Sequence, residues 1–242
     1  MIDFHAHILP GIDDGSKSVD ESLVMLAMEA EQGVGCVVAT PHFYPRHDDP
    51  REFLTVRDAA LSVLCSRLKS DMPGIIPGAE VYFYRGMSES EILRSFTVGD
   101  SPYILIEMPM PPWPEDFYRE LENIHRKQGL IPIIAHIDRY IAPLRTRGIP
   151  ERLAELPVLI QANADFFCKT STAFLAMKLL KENKIHLLGS DCHNTTTRKP
   201  NLAAAVRRME QKLSRSDLAK IQDCERRIIP DLMQSKKAGV SL

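Results

Sequence analysis

At 242 residues, 44% of them hydrophobic, the chain is long enough to bury one large core, and length alone would also permit two small domains. A formal net charge of −2 argues against a strongly basic nucleic-acid surface. Five cysteines, an odd number without framework spacing, fit free thiols in a reducing, cytoplasmic setting, and no apolar run reaches the length that spans a bilayer.

The first stretch, Ile2 to His7, reads as a strand and leaves no room for the charged and apolar regions of a secretory signal. It carries Asp3-Phe4-His5-Ala6-His7, and alternate residues of an extended strand share a face, so the two imidazoles can meet one metal ion. Ser16 to Gln32 has a helical apolar period closed by Gly33, and strand two runs to Thr40. Tyr44 to Pro50 is a loop rich in Pro, Asp and His, Arg51 to Lys69 is helical, and strand three ends near Glu80. A further helical stretch is expected around Ser88 to Phe96, then strand four at Tyr103 to Met108.

Pro109 to Pro114 is too proline-dense for helix or central strand, which makes a stiff loop directly beyond Glu107. Glu115 to Gln128 is an amphipathic helix closed by Gly129, strand five leads to His136, and strand six to Asn163. Thr170 to Lys181 is helical, and strand seven reaches Asp191. Two helical segments, near Lys199 to Leu213 and Ser216 to Ile228, precede a polar tail at 234–242 that is expected to be disordered.

Strands and helices alternate, and runs such as Ile131 to Ala135 are apolar on both faces, as parallel strands under helices must be. Seven such units without a linker predict one α/β domain over 1–242, an irregular, TIM-like (β/α)7 barrel that works at the carboxyl ends of its strands. An open doubly wound sheet is the other arrangement, but it would gather ligands at one switch point.

The same sentence recurs along the chain: a short apolar run that stops at His, Glu or Asp. His5, His7, His42, His136 and His193 stand at strand ends beside Glu80, Glu107 and Asp191. Any one of these histidines alone reads as a hydrogen-bonded structural residue, whereas the joint occurrence reads as a metal site. Nitrogen and carboxylate donors without thiolate suit Mn, Fe or Zn.

With His5-Ala6-His7 and Asp13-Asp14-Gly15, Thr40-Pro41-His42, Gly78-Ala79-Glu80, Ile106-Glu107, Ala135 to Tyr140 and Ser190 to Asn194 in place, the chain resembles the PHP (polymerase and histidinol phosphatase) superfamily. Along nearly its whole length it is similar to the bacterial metal-dependent protein-tyrosine phosphatases of capsule and exopolysaccharide biosynthesis. That resemblance implies the PHP fold and three divalent ions, with manganese the first choice and iron, zinc or magnesium the alternatives. It assigns His5, His7, Glu80 and Asp191 to the first ion, Glu80, Glu107 and His136 to the second, and His42, His193 and Asp14 or Asp13 to the third. Arg139 and Arg198 match the phosphate-binding positions. Asp138 stands where Glu is common and Cys192 where an apolar residue is common. The implied reaction is attack on phosphotyrosine by a metal-bridged hydroxide. The implied substrate is a phosphotyrosyl protein, a bacterial tyrosine kinase of capsule or exopolysaccharide synthesis, with no nucleic acid and no direct membrane insertion; an oligomer is compatible with the sequence.

Three other readings compete. A PHP hydrolase of a small phosphate ester such as histidinol phosphate shares the ligand set, and a catalytically silent, metal-stabilised interaction domain shares the fold. Cys192 to Arg198 also has the Cys-x5-Arg spacing of thiol phosphatases, but it lacks the glycine that lets backbone amides cradle a phosphate. Phe43, Tyr44, Trp113 and Tyr140 follow ligand-bearing strands and are candidates to hold a phenyl ring. Asn163 is a candidate to orient substrate or water or to cap the next turn.

Overall fold

A computed structural model of the protein describes residues 1–141 and 148–229; the tail expected at 234–242 lies outside them. All strand pairs are parallel. Strands β1 (Ile2–Ala6), β2 (Cys36–Ala39) and β4 (Gly74–Pro77) form one sheet in that order. Strands β3 (His42–Phe43), β5 (Glu80–Tyr82), β6 (Tyr103–Glu107), β7 (Ile131–Ile134), β8 (Leu159–Asn163) and β9 (Leu187–Gly189) form a second.

The expected strand three is thus two strands, β4 and β5, and the expected strand two, ending at Thr40, is β2, with the short β3 following past Pro41. The physical cause is local: Pro41 has no N–H for a ladder, and Gly78-Ala79 bends beside it. Hydrogen bonding still crosses the breaks, with Thr40 N donating to Ala6 O at 2.9 Å, Gly78 N to Ala39 O at 2.9 Å and Glu80 N to Pro41 O at 3.0 Å. At the other margin, Asp191 N donates to His5 O at 2.8 Å and His7 N to Cys192 O at 2.9 Å, so the residues after β9 lie along β1. The result is a mixed α/β fold whose parallel sheet curls.

Apolar residues on the two faces of the strands serve different partners. Ile2, Phe4, Val38, Leu105, Ile133 and Leu187 pack in one cluster, while Val37, Ile106, Ile134 and Ile160 pack in another that includes the helices. Helix α1 (Val19–Glu31) starts at Ser18, whose side chain accepts from Glu21 N, and α2 (Pro50–Cys65) starts at Asp49 with Pro50 in its first turn. Helix α3 (Glu115–Gln128) has the predicted ends because Gly129, at φ +66°, supplies the left-handed cap. Its Tyr118, Leu121 and Ile124 are buried at helical spacing.

Three five-residue helices, α4 (Ile137–Ile141), α5 (Ile149–Leu153) and α6 (Ala164–Cys168), were too short to leave a period in the sequence. They precede α7 (Thr170–Lys181), α8 (Leu202–Glu210) and α9 (Arg215–Ile228), which opens with a Ser214/Asp217 capping box. The helix expected at Ser88 to Phe96 is instead two 3-10 segments, Met87–Glu89 and Glu91–Phe96. Side chains of α3 compete for the backbone there: Gln128 Nε2 donates to the carbonyls of Ser88 and Ser90, and Glu120 accepts from Ser88 N.

Candidate metal centre

The side chains at the strand ends converge. His5 Nε2 lies 3.1 Å from His7 Nε2 and 3.2 Å from Glu80 Oε2, with Asp191 Oδ1 at 3.7 Å. His7 Nε2 is 3.3 Å from the same Glu80 oxygen. Strict alternation alone does not produce this. Asp3 pairs with Val37 but Ala6 with Ala39, so β1 slips register by one residue between them. Asp3 then faces helix α1, while His5 and His7 turn toward the carboxylates.

Glu80 is the hub. Its Oε1 accepts from His136 Nε2 at 2.8 Å, and its Oε2 is also 3.0 Å from His42 Nδ1. Glu107 Oε1 stands 3.6 Å from His136 Nε2. On the other side, Asp14 Oδ1 is 3.5 Å from His42 Nε2 and 3.3 Å from His193 Nε2. His136 and Asp191 hold left-handed backbone, φ +31° and +54°, at a cost of roughly 1–3 kcal/mol each. Strain of this size fits positions where side-chain aim matters more than backbone comfort.

Asp13 and Asp14, which the sequence leaves as equals, separate here. Asp13 Oδ2 accepts from His7 Nδ1 at 2.7 Å and from His42 N at 3.0 Å, and Oδ1 from Gly15 N at 2.9 Å. Both its oxygens are taken up by His7 and two backbone amides, an arrangement that orients the His7 ring, whereas Asp14 is the one that faces His42 and His193. Burial opposes its charge, yet His7 and the two amides hold its carboxyl well below the ordinary range.

Two residues that the sequence reading passed over or left open do similar work. Gln161 Oε1 accepts from His136 N at 2.6 Å and faces His5 Nδ1 at 3.3 Å, and Gln161 Nε2 donates to Asn163 Oδ1 at 3.0 Å. Asn163 Nδ2 then donates to Asp191 Oδ2 at 3.0 Å, so it orients a carboxylate and makes no side-chain cap for α6. A glutamine inside an otherwise apolar strand was the available signal for Gln161. Close glycines allow this packing. A Cβ on Gly189 would lie 2.5 Å from His5 Cβ, and one on Gly15 would lie 2.3 Å from His7 O.

Both predicted arginines reach the cluster. Arg139 Nη2 donates to Asp191 Oδ2 at 2.5 Å, and Arg198 Nη2 to Asp191 Oδ1 at 2.8 Å. The four aromatic candidates divide. Phe43, Trp113 and Tyr140 are buried, Tyr140 accepting from Met108 N and Trp113 donating to Pro109 O. Tyr44 is 38% exposed and stacks on the His42 ring at 5.1 Å.

The donors fit divalent cations. Ligand atoms of His7, Asp14, His42 and His193 lie within 4.8 Å of one another, as do those of His5, His7 and Glu80 and those of His42, Glu80 and Glu107. Glu80 Oε2, His42 Nδ1 and His193 Nε2 are buried without a hydrogen-bond partner, an arrangement that costs about 1–3 kcal/mol per group unless something else satisfies it. Asp13 and Gln161 take the outer nitrogens of His7 and His5 and so leave each Nε2 facing inward. Burial works against charge on Glu80 and Asp191, but the surrounding histidines, with Arg139 beside Asp191, hold both carboxyls well below the ordinary range. His7, despite burial, is raised to about 10 by Asp13 and Glu80. The cluster attracts positive charge.

Cys192 is turned away from it. Its thiol is fully buried, 4.0 Å from Glu29 Oε1, and burial followed by the charges of Asp3 and Glu29 pushes it well above the ordinary thiol range. Asp3 Oδ1 accepts from His5 N and Ser190 N, so Asp3 is the better anion of the buried pair it forms with Glu29. Burial, then Asp3, pushes the Glu29 carboxyl far upward. The folded chain therefore keeps a proton that the unfolded chain releases above the ordinary carboxyl range. Stability must fall as pH rises from there toward the folded pKa, by up to about 1.4 kcal/mol per pH unit. Glu29→Gln is expected to flatten that decline, measured as Tm against pH from 6 to 9. Parallel curves for the two proteins would exclude the shared proton.

Comparison with known proteins gives a consistent result. Residues 1–227 match the family described as capsular polysaccharide synthesis, CpsB/CapC. The chain is 32% identical over 230 residues to the tyrosine-protein phosphatase YwqE of Bacillus subtilis, covering 88% of this chain and 85% of that protein. It is 31% identical over 220 residues to the tyrosine-protein phosphatase CpsB of Streptococcus pneumoniae, covering 85% and 88%. Among solved structures, it superposes with a TM-score of 0.79 and 27% identity, over 93% of each chain, on one described with YwqE and CpsB as unique metal-dependent tyrosine phosphatases. A TatD-family hydrolase from Entamoeba histolytica, 9% identical with a TM-score of 0.52 over 94% of this chain and 97% of its own, shares the fold alone.

Proposed function

Because the chain belongs to the capsular polysaccharide synthesis family CpsB/CapC, we propose that it is a metal-dependent protein-tyrosine phosphatase, a phosphoric monoester hydrolase. The observation that carries this reading is the meeting of His5, His7, Glu80 and Asp191 with two guanidinium groups closing on Asp191.

In this reading His5, His7, Glu80 and Asp191 hold one divalent ion, Glu80, Glu107 and His136 a second, and Asp14, His42 and His193 a third, with manganese the first choice. Cations bound there would lower the pKa of a bound water toward neutrality and stabilise charge on the phosphoryl group. Arg139 and Arg198 grip phosphate oxygens, for which planar guanidinium forks are suited. Asp13, Gln161 and Asn163 fix the donors so that little reorganisation accompanies the reaction.

The fold reading goes with it. Counting β2–β3 and β4–β5 as one kinked strand each, with the Ala6–Cys192 bridge as the seam, supports a single domain with an irregular (β/α)7 barrel. The ligands then stand at the carboxyl ends of the strands. The substrate is a phosphotyrosyl protein, a tyrosine kinase of capsule or exopolysaccharide synthesis, in the cytoplasm. Among the described residues, no helix is long and apolar enough to cross a membrane.

With Mn²⁺ present, the protein is expected to hydrolyse phosphotyrosyl peptides in preference to phosphoseryl peptides and to histidinol phosphate. Preference for histidinol phosphate would favour the small-ester reading, and metal-loaded protein without phosphatase activity would favour a silent domain. Cys192→Ser is expected to keep most activity, since the thiol is buried away from the ligands; a trapped phosphocysteine in the wild type would restore the thiol reading.

A further inference from the structure

Beside the metal centre opens a cleft of about 630 Å³ whose walls include Tyr44, Arg46, Tyr82, Tyr84, Arg85 and Phe117. Two of its wall residues neighbour the ligands. Tyr44 stacks on His42, the Tyr82 ring is 6.0 Å from the Tyr44 ring, and Tyr82 pairs along the sheet with Glu107. The walls are mostly aromatic, so they can hold a flat ring and an extended backbone by burial with little loss of side-chain freedom.

The cleft carries basic groups on its walls, with Asp116 pairing Arg85 from just outside them. No acidic side chain lines it, and two arginines do. Arg85 is braced, its Nε donating to Asp116 Oδ2 at 2.6 Å and its guanidinium carbon 4.8 Å from the centre of the Phe117 ring. Arg46 is exposed and makes no ion pair among the described residues. Such a pair of cations outside the ligand cluster has no task in holding metal or gripping the transferred phosphoryl group.

We propose that this cleft is the subsite for the polypeptide on either side of the phosphotyrosine, and that Arg46 and Arg85 select acidic residues there. The proposal rests on the protein-tyrosine phosphatase reading and adds the class of sequence that the enzyme prefers. Aromatic walls supply contact that any tyrosyl peptide can use, and the two arginines supply the discrimination, through attraction that salt will screen.

The test compares kcat/KM for two synthetic phosphotyrosyl peptides, one with Asp and Glu beside the phosphotyrosine and one with Ala and Gln, on metal-loaded full-length protein. An exposed ion pair is worth on the order of a two- to fivefold effect. The wild type is therefore expected to prefer the acidic peptide by roughly five- to twentyfold at low salt if both arginines engage, and less at 0.5 M NaCl. Arg46→Glu, which has no native ion pair to lose, should cut the ratio several-fold, and Arg46→Glu/Arg85→Glu should bring it to one or below. A wild-type ratio of one, or a ratio that the double variant leaves unchanged, overturns the proposal. Hydrolysis of p-nitrophenyl phosphate by the same wild-type sample separates the two readings. If that activity is Mn²⁺-dependent while the peptide ratio is one, the cleft is wrong and the phosphatase reading stands. If no aryl phosphate is hydrolysed, both fail.

Discussion

Stripping divalent ions from the purified protein is expected to abolish phosphatase activity, and adding Mn²⁺ to restore it. The expectation follows from the donors: five imidazoles and four carboxylates whose inner atoms face one another at 3 to 4 Å, too many acceptors for the protons available. Cys192, the thiol between two of these residues in sequence, is buried on the far side and so is not placed to be the nucleophile. Loss should therefore run to several orders of magnitude, not a modest fraction. Metal analysis alongside turnover checks it, and full activity in a preparation verified as metal-free would overturn the mechanism. Binding should also strengthen as pH rises. His5 is raised above its ordinary value because Glu80 and Asp191 outweigh burial, and His7 is raised to about 10. A metal must displace those protons, so apparent Mn²⁺ affinity should be tighter at pH 8 than at pH 6.

Arg139→Ala and Arg198→Ala should each lower turnover by about a hundredfold to a thousandfold while metal content stays nearly unchanged. Neither arginine is proposed as a ligand, but both guanidinium groups close on the two oxygens of Asp191, Arg139 from α4 and Arg198 from the turn beyond β9, which puts their donors at the edge of the cluster. Oxygens of a transferring phosphoryl group keep substantial charge through the transition state, and one positioned donor lost is worth about 2.7 to 4 kcal/mol. Lys at either position should rescue only in part, because it restores charge without the fork. His136→Ala is the contrast, since its Nε2 faces both Glu80 and Glu107 and its loss should release metal as well as rate. Near-normal kinetics on phosphotyrosyl protein in either arginine variant, with metal content confirmed, would remove the proposed phosphate pocket.

Most of the converging side chains were legible because they close apolar runs, and a run of that kind ends at one predictable end of a parallel sheet; Asp14, in a turn, was not. Helices α3 and α7 were legible to the residue because a full period and sharp ends such as Gly129 lie within one short window. What the sequence could not reveal sits where the backbone is irregular. The slip in β1, the breaks at Pro41 and Gly78, and the 3-10 segments held by Gln128 and Glu120 leave no period to read.

Sequence by itself picked out the His, Glu and Asp side chains that converge, the alternation of strand and helix, and two arginines that reach the same cluster. Tertiary structure alone decided that Asp14 faces His42 and His193 while Asp13 backs His7, that Gln161 and Asn163 aim their neighbours, and that of four aromatic candidates Tyr44, against His42, and Tyr140, against His136, border the centre. The reason is physical. Periodicity reports repeating backbone dihedrals and hence which face a side chain takes, but in a turn or at a bulge adjacent residues point in unrelated directions. Their aim is then set by partners far along the chain, such as Gln161 for His5 and Asp191 for Arg139, which no local window contains.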